Sequence, residues 1–227
     1  MTVGIEQETD QVIRVDIVSD VVCPWCIIGY KQLECAQSQT GLPVVVHWHP
    51  FELNPDMPDE GEDLFEHVTA KYGTAKDESR KTRSKLKALG AELGFTFDYA
   101  DDMRMVNTFR AHQMIHWAAS LSRQHQMKTA LFSAYFTDRK NVNDPVVLST
   151  IATGLGLDGE EAMAVLGDSR FAERVRQHEA FWTSQGVQGV PAMIFDGQQA
   201  LLGAQGVDVY RTMLLQCFEA RTKPQGS

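Results

Sequence analysis

Hydrophobic positions in this chain come as short β-branched runs near both ends and as helical stripes through the middle. Val12-Ile13-Arg14-Val15-Asp16-Ile17-Val18 predicts a buried strand over 12–18. Residues 24–39 predict a helix ending before Gly41, and Val44-Val45-Val46-His47-Trp48 predicts a second strand. Asn54-Pro55-Asp56-Met57-Pro58 then breaks all periodicity. Beyond it, Leu64, Phe65, Val68 and Tyr72 fall at helical spacing, and Gly73 can cap that helix. A charged helix over 76–93 carries Leu86, Leu89 and Leu93 on one stripe and closes at Gly94, and another helix is expected over 102–125. Asp144-Pro145 pairs an N-cap with a proline at the first helical position, and Gly154 ends that helix. Asp158 and Glu161 are spaced as a capping box, and Asp168 starts a last helix that ends at Gly186. The block from about 62 to 185 therefore reads as five or six helices with no strand. Strand character returns at Ala192-Met193-Ile194-Phe195. The turn Asp196-Gly197, a short strand near Ala200-Leu201-Leu202 and a helix over about 207–221 follow. Residues 1–11 and Lys223-Pro224-Gln225-Gly226-Ser227 lack such patterns and are expected to be a disordered leader and a frayed tail.

The order is β-α-β, helices, then β-β-α. A βαβ unit joined to a ββα unit makes a four-stranded mixed sheet with helices on both faces. That is an α/β thioredoxin-like core carrying an inserted all-helical domain. The expected division is 12–57 with 186–222 for the core and 58–185 for the insertion.

Composition narrows the function classes. At 227 residues, with 43% hydrophobic and 22% charged side chains, the chain can bury an ordinary globular core. A net charge of −9 argues against nucleic acid or an anionic membrane surface as the main partner. No apolar run approaches the roughly 20 residues of a membrane span. The polar, acidic stretch Met1 to Asp10 lacks the basic and apolar regions of a secretory signal, so a cytoplasmic location is expected. In that compartment the four cysteines, Cys23, Cys26, Cys35 and Cys217, read as catalysis or metal binding rather than structural bridges.

Cys23-Pro24-Trp25-Cys26 follows the first strand and heads a helix. A helix N-terminus presents unpaired N–H groups and partial positive charge, which favour a thiolate at Cys23. Cys26 lies within the first turn, near enough to attack a mixed disulfide. Pro-Trp between the cysteines adds no cation. The Cys23 thiol is therefore expected to titrate below free cysteine, short of the strongest oxidants. The competing zinc half-site needs two more ligands, and no second Cys-x₂-Cys exists, so no metal site is expected. Gly189-Val190-Pro191 precedes a strand where such a core needs a cis peptide, which would leave Val190 beside the thiols to pair with an extended substrate. His112 with His116, and His47 with His49, share faces but lack completing ligands. Cys35 and Cys217 fall on helices covering one face of the sheet and read as small buried hydrophobes.

Several segments resemble the DsbA-like thioredoxin family in its FrnE-type branch, related to 2-hydroxychromene-2-carboxylate isomerases and kappa-class glutathione transferases. They are Asp20 to Gly29 around the cysteine pair, Pro50-Phe51-Glu52-Leu53-Asn54-Pro55-Asp56, Asn107-Thr108-Phe109-Arg110-Ala111-His112, Gly186 to Pro191, and Gly203-Ala204-Gln205. The resemblance implies a cytoplasmic dithiol–disulfide oxidoreductase with Cys23 as nucleophile and Cys26 as resolver. It implies substrate contacts from Pro24, Trp25, Val190, Pro191, Asn107 and His112. Its partners would be protein or small-molecule thiols and disulfides, with no cofactor beyond the cysteine pair and a low-molecular-weight thiol. Isomerase and transferase relatives carry serine where this chain has Cys23, so the alternative is a thiol-dependent isomerase or transferase of aromatic or polyketide metabolism. Many thioredoxin-like enzymes hold a buried acid about six residues before the first cysteine. Here that position is Ile17, and Asp20 is the expected substitute for proton transfer.

Overall fold

The structure, a computed structural model, describes residues 12–222. The expected leader and tail lie outside the described residues. Strand β1 (Ile13–Ser19), helix α1 (Pro24–Thr40) and strand β2 (Val44–Pro50) open the fold. Strands β5 (Ala192–Phe195) and β6 (Gln199–Leu202) and helix α9 (Val207–Thr222) close it. The sheet runs β2-β1-β5-β6. β1 pairs parallel to β2, while β1–β5 and β5–β6 are antiparallel. This is the mixed four-stranded sheet expected from the order of elements.

The register decides what each face carries. Ile17 sits between Trp48 and Met193 in the ladder. Ile13, Val15 and Ile17 are fully buried, as are Leu33, Met193, Phe195, Tyr210 and Leu214. Each such aliphatic side chain contributes roughly 1.5–3 kcal/mol of burial. The opposite face of β1 turns Asp16 and Val18 toward β2 residues His47 and His49 and toward Trp182, whose ring is 4.7 Å from His49.

Between β2 and β5 the chain forms seven helices among the described residues: α2 (Leu64–Tyr72), α3 (Lys76–Glu92), α4 (Phe109–Ser120), α5 (Gln124–Phe136), α6 (Pro145–Gly154), α7 (Gly159–Asp168) and α8 (Ala172–Ser184). The segment also holds a short antiparallel pair, β3 (Glu62–Asp63) with β4 (Arg104–Met105), where no strand was expected. Two-residue strands are too short to leave a hydrophobic period. The single helix expected over 102–125 is absent. Arg104–Met105 is extended, α4 starts only at Phe109, and the chain turns over Leu121 to Arg123 before α5. Ser122, at φ 58°, makes that turn without a glycine or proline to announce it. Asp168 likewise ends α7 rather than starting the last helix, because Ser169 at φ 53° breaks the chain before α8. Buried side chains of this segment and of the sheet run together in one apolar cluster, Trp48 meeting Phe132 at 6.0 Å between ring centroids. No described helix is long and apolar enough to cross a membrane.

Candidate functional site

The first turn of α1 places the two thiols. Cys23 is its N-cap in extended conformation and Pro24 fills the first helical position, where a missing N–H leaves nothing unpaired. The Cys23 N–H donates to Asp20 O at 3.3 Å, and the Cys26 N–H to Cys23 O at 3.1 Å. Both thiols are free. Cys26 is fully enclosed, whereas Cys23 is 3% exposed and its side chain borders a cavity. Burial first, and then the neighbouring Cys23 sulfur, push the Cys26 thiol well above its ordinary value, against a smaller pull from Lys128.

The loop before β5 comes alongside. The Val190–Pro191 peptide bond is cis. The Cys23 thiol donates to the Val190 carbonyl at 3.7 Å, while the Pro191 carbonyl accepts from Gly203 N–H at 2.7 Å. Gly29 of α1 packs closely against this loop. A Cβ there would stand 3.4 Å from Pro191 Cγ and 3.1 Å from Met193 Cε.

A buried polar cluster lies near the thiols. Asp20 is fully buried and accepts from Leu53 N–H at 2.8 Å. Its Oδ1 stands 3.4 Å from His112 Nε2. Burial would raise the Asp20 carboxyl, but His112, the Leu53 N–H and the Lys128 charge outweigh it and hold it below its ordinary value. Lys128, 1% exposed on α5, donates to Ser19 O at 3.3 Å and lies 4.9 Å over the Phe132 ring. Burial lowers its ammonium to about 8, against the opposing pull of Cys26, Asp20 and Cys23. Ile17 points into the core and has no proton to exchange. Asp16 belongs to the far side of the sheet. Burial would raise its carboxyl, but His49 at 2.7 Å and Arg14 at 2.7 Å hold it at about 2.

The cavity beside Cys23 encloses about 350 Å³. Pro24, Trp25 and Val190 border it on the thiol side, and Leu64, Val68, Tyr72, Arg83, Leu86 and Tyr99 border it on the side of α2 and α3. Trp25 and Tyr72 form an aromatic rim, 45% and 61% exposed. Of the residues expected to touch substrate, Pro24, Trp25 and Val190 line this cavity, and Pro191 packs against Gly29 behind it. Asn107 and His112 do not line it. The Asn107 amide donates to Met57 O at 2.8 Å and accepts from Phe109 N–H at 2.9 Å, which starts α4. His112 is turned inward to Phe51 O, 3.2 Å away, and to Asp20.

Cys35 is half-buried and Cys217 buried on adjoining helices α1 and α9, unbonded. Among the described residues no cluster of three or more His, Cys, Asp or Glu could hold a metal ion. Sequence reasoning passed over Lys128 and Arg83. Lys128 shares its helical stripe with Leu131, Phe132 and Tyr135, and Arg83 stands three residues before Leu86 on the leucine stripe of α3. A cation on an apolar stripe was the available signal.

Comparisons with known proteins agree with this fold. The family model of the DSBA-like thioredoxin domain matches residues 14–214. A crystal structure of a probable DsbA oxidoreductase from Streptomyces coelicolor is 32% identical, with a TM-score of 0.86 over 95% of this chain and 94% of that one. The uncharacterized protein YwbO of Bacillus subtilis is 26% identical over 87% of this chain and 94% of its own length. The cytosolic disulfide reductase DsbM of Pseudomonas aeruginosa, solved also with GSH, shares the fold at 20% identity and a TM-score of 0.63, over 91% of this chain and 99% of that one.

Proposed function

The chain belongs to the DsbA-like thioredoxin domain family, and on that premise we propose that it is a cytoplasmic thiol–disulfide oxidoreductase working through Cys23 and Cys26. The observation that carries this reading is the unequal placement of the two thiols at the head of α1. Cys23 borders the cavity beside Val190 O, and Cys26 is sealed behind it. The cytoplasmic location draws on likeness to a reductase described as cytosolic.

The Cys23 thiolate attacks one sulfur of a substrate disulfide. A Cys23–substrate disulfide forms, the substrate S–S bond breaks, and the first substrate thiolate leaves. Cys26 then attacks the Cys23 sulfur, forming the Cys23–Cys26 disulfide and expelling the second thiolate. The substrate is reduced by two electrons and the enzyme pair oxidised by two, and the two thiol protons pass to the departing sulfurs. Two molecules of a low-molecular-weight thiol restore the dithiol and leave as their own disulfide.

Resolution requires Cys26 to lose a proton although burial holds it well above its ordinary value. Lys128, at about 8, has a neutral amine fraction near physiological pH and lies close enough for its charge to act on Cys26. It is our candidate acceptor. Asp20, ionised and fixed by Leu53 N–H, holds the positive charge of the cluster in place.

Mixing Cys26→Ser with a small disulfide tests the reading. One mixed disulfide per chain should accumulate at Cys23, visible by intact mass and peptide mapping. Labelling at Cys35 or Cys217 instead, with Cys23 unmodified, overturns it.

A further inference from the structure

Helix α3 is a basic element in an acidic chain. Six of the 21 cationic side chains and three of the 30 acidic ones fall within its 17 residues, so α3 carries +3 and the remainder of the chain −12. Ser79, Leu86 and Gly90 turn one stripe of it into the fold. Lys76 and Lys87 share one side of the helix, three turns apart, and Lys81 and Lys85 another, one turn apart; all four are exposed. Arg80 is paired with Asp77 at 3.6 Å and Asp101 at 3.0 Å. Lys81, Lys85 and Lys87 make no ion pair among the described residues. The same helix walls the Cys23 cavity through Ser79, Thr82, Arg83 and Leu86, and no carboxylate among the described residues lines that cavity. On the thiol side, the loop from Gly186 to Pro191 carries no charge. At physiological ionic strength the reach of an exposed charge is about 8 Å, so a partner approaching Cys23 over α3 meets this local positive field rather than the charge of the whole chain. A small ligand inside the cavity does not reach lysines on the outside of the helix. From Lys76 to Lys87 they spread over about 16 Å, which an extended chain of about five residues spans. A nucleic acid matches the charge but brings no sulfur to Cys23.

We propose that the exposed face of α3 docks an acidic polypeptide segment whose neighbouring cysteine, in a disulfide, is thereby delivered to Cys23. The assignment rests on the disulfide-exchange reading and names the class of its partner. Chemistry at sulfur is the same exchange: Cys23–S bonds to the peptide sulfur, the peptide S–S bond breaks, and its other half departs as a thiolate. The lysines orient the partner and do not react.

The test uses synthetic peptides, each with one cysteine capped as a pyridyl disulfide and flanked by about five Glu, Gln or Lys residues. Release of thiopyridone from the reduced protein is followed by stopped flow, counting only the phase that Cys23→Ser removes. The quantity read is the rate for each charged peptide divided by that for the Gln peptide, so any change in Cys23 reactivity itself cancels. At low salt the Glu peptide should react about tenfold faster than the Gln peptide and the Lys peptide more slowly, and molar salt should bring both ratios to one. Joint reversal of Lys81, Lys85 and Lys87 to Glu should invert the preference, and their joint change to Gln should remove most of it. Reversing Arg123, Arg174 and Arg211, which lie on other elements, alters the net charge equally and should leave the ratios within about twofold. Equal rates for the three peptides, a preference for the Lys peptide, or an equal effect of the two reversals overturns the assignment and leaves the oxidoreductase reading standing. Should no peptide react at Cys23, the oxidoreductase reading falls and this assignment with it.

Discussion

The thiol of Cys23 donates a hydrogen bond of 3.7 Å to the carbonyl of Val190, a residue 167 positions away along the chain. The head of α1 and the loop before β5 are thereby brought to one edge of the cavity. Cys23 meets solvent through that cavity, whereas Cys26 meets only protein.

This asymmetry separates redox chemistry from its alternative. Cys23→Ser should abolish reduction of small disulfides, and the wild-type burst of released thiol should disappear. A thiol-dependent isomerase would survive the same change, because serine can orient a bound thiol without exchanging disulfides. Assaying one variant for both activities decides between them.

Lys128 should leave a signature in the pH dependence of the second step. Its folded value of about 8 lies below the ordinary 10.5. The resolution rate, followed as release of the second substrate thiol, should rise through about pH 8 in the wild-type protein. Lys128→Met should slow it and remove that limb. Stability moves in a matching way. Between about 8 and 10.5 the unfolded chain binds the lysine proton and the folded chain does not, so Lys128 adds stability as pH rises through that window. Buried Cys26 and the tyrosines act in the opposite sense, so the quantity to measure is the difference between wild type and Lys128→Met. The melting temperature of the variant should gain less, or lose more, than the wild type between pH 8 and 10.

Acid should weaken the fold through His116. Burial, followed by the charges of His178 and Arg174, lowers its imidazole from 6.5 to about 4. As pH falls below 6.5 the unfolded chain takes up this proton while the folded chain resists until about 4. The stability present above pH 6.5 is therefore lost progressively across that window. Urea unfolding at a series of pH values should show the midpoint falling over this range, and His116→Phe should flatten the fall.

Gly29 should tolerate one methyl and refuse two more. A Cβ at this position meets Met193 Cε at 3.1 Å, Tyr210 Oη at 3.3 Å and Pro191 Cγ at 3.4 Å. The methionine end can shift, and alanine gains about 0.5–1 kcal/mol of helix propensity over glycine, so Gly29→Ala should be near neutral. Gly29→Val should cost about 1–3 kcal/mol by overpacking and slow disulfide exchange by displacing Pro191 from beside Cys23. Chemical denaturation and the Cys23 reaction rate would measure the two effects.

The sequence by itself determined the fold class, the strands of the central sheet and the start of α1. These follow from local chemistry: β-branched runs at 13–19 and 44–50, and a proline directly after the cysteine cap. It did not reveal β3 and β4, whose two residues each leave no period, nor the helix breaks at Ser122 and Ser169, where non-glycine residues take a left-handed turn. Only the tertiary structure decided which long-range neighbours meet. α5 brings Lys128 beneath the sheet to Ser19, α3 carries Arg83 to the cavity that Cys23 borders, and Asn107 and His112 turn away from it to bond backbone. Strand runs and caps are written within a few residues of sequence. Which cation faces a thiol depends on how two helices pack against a sheet, and that is settled by burying their apolar stripes together, with the charged residue carried along.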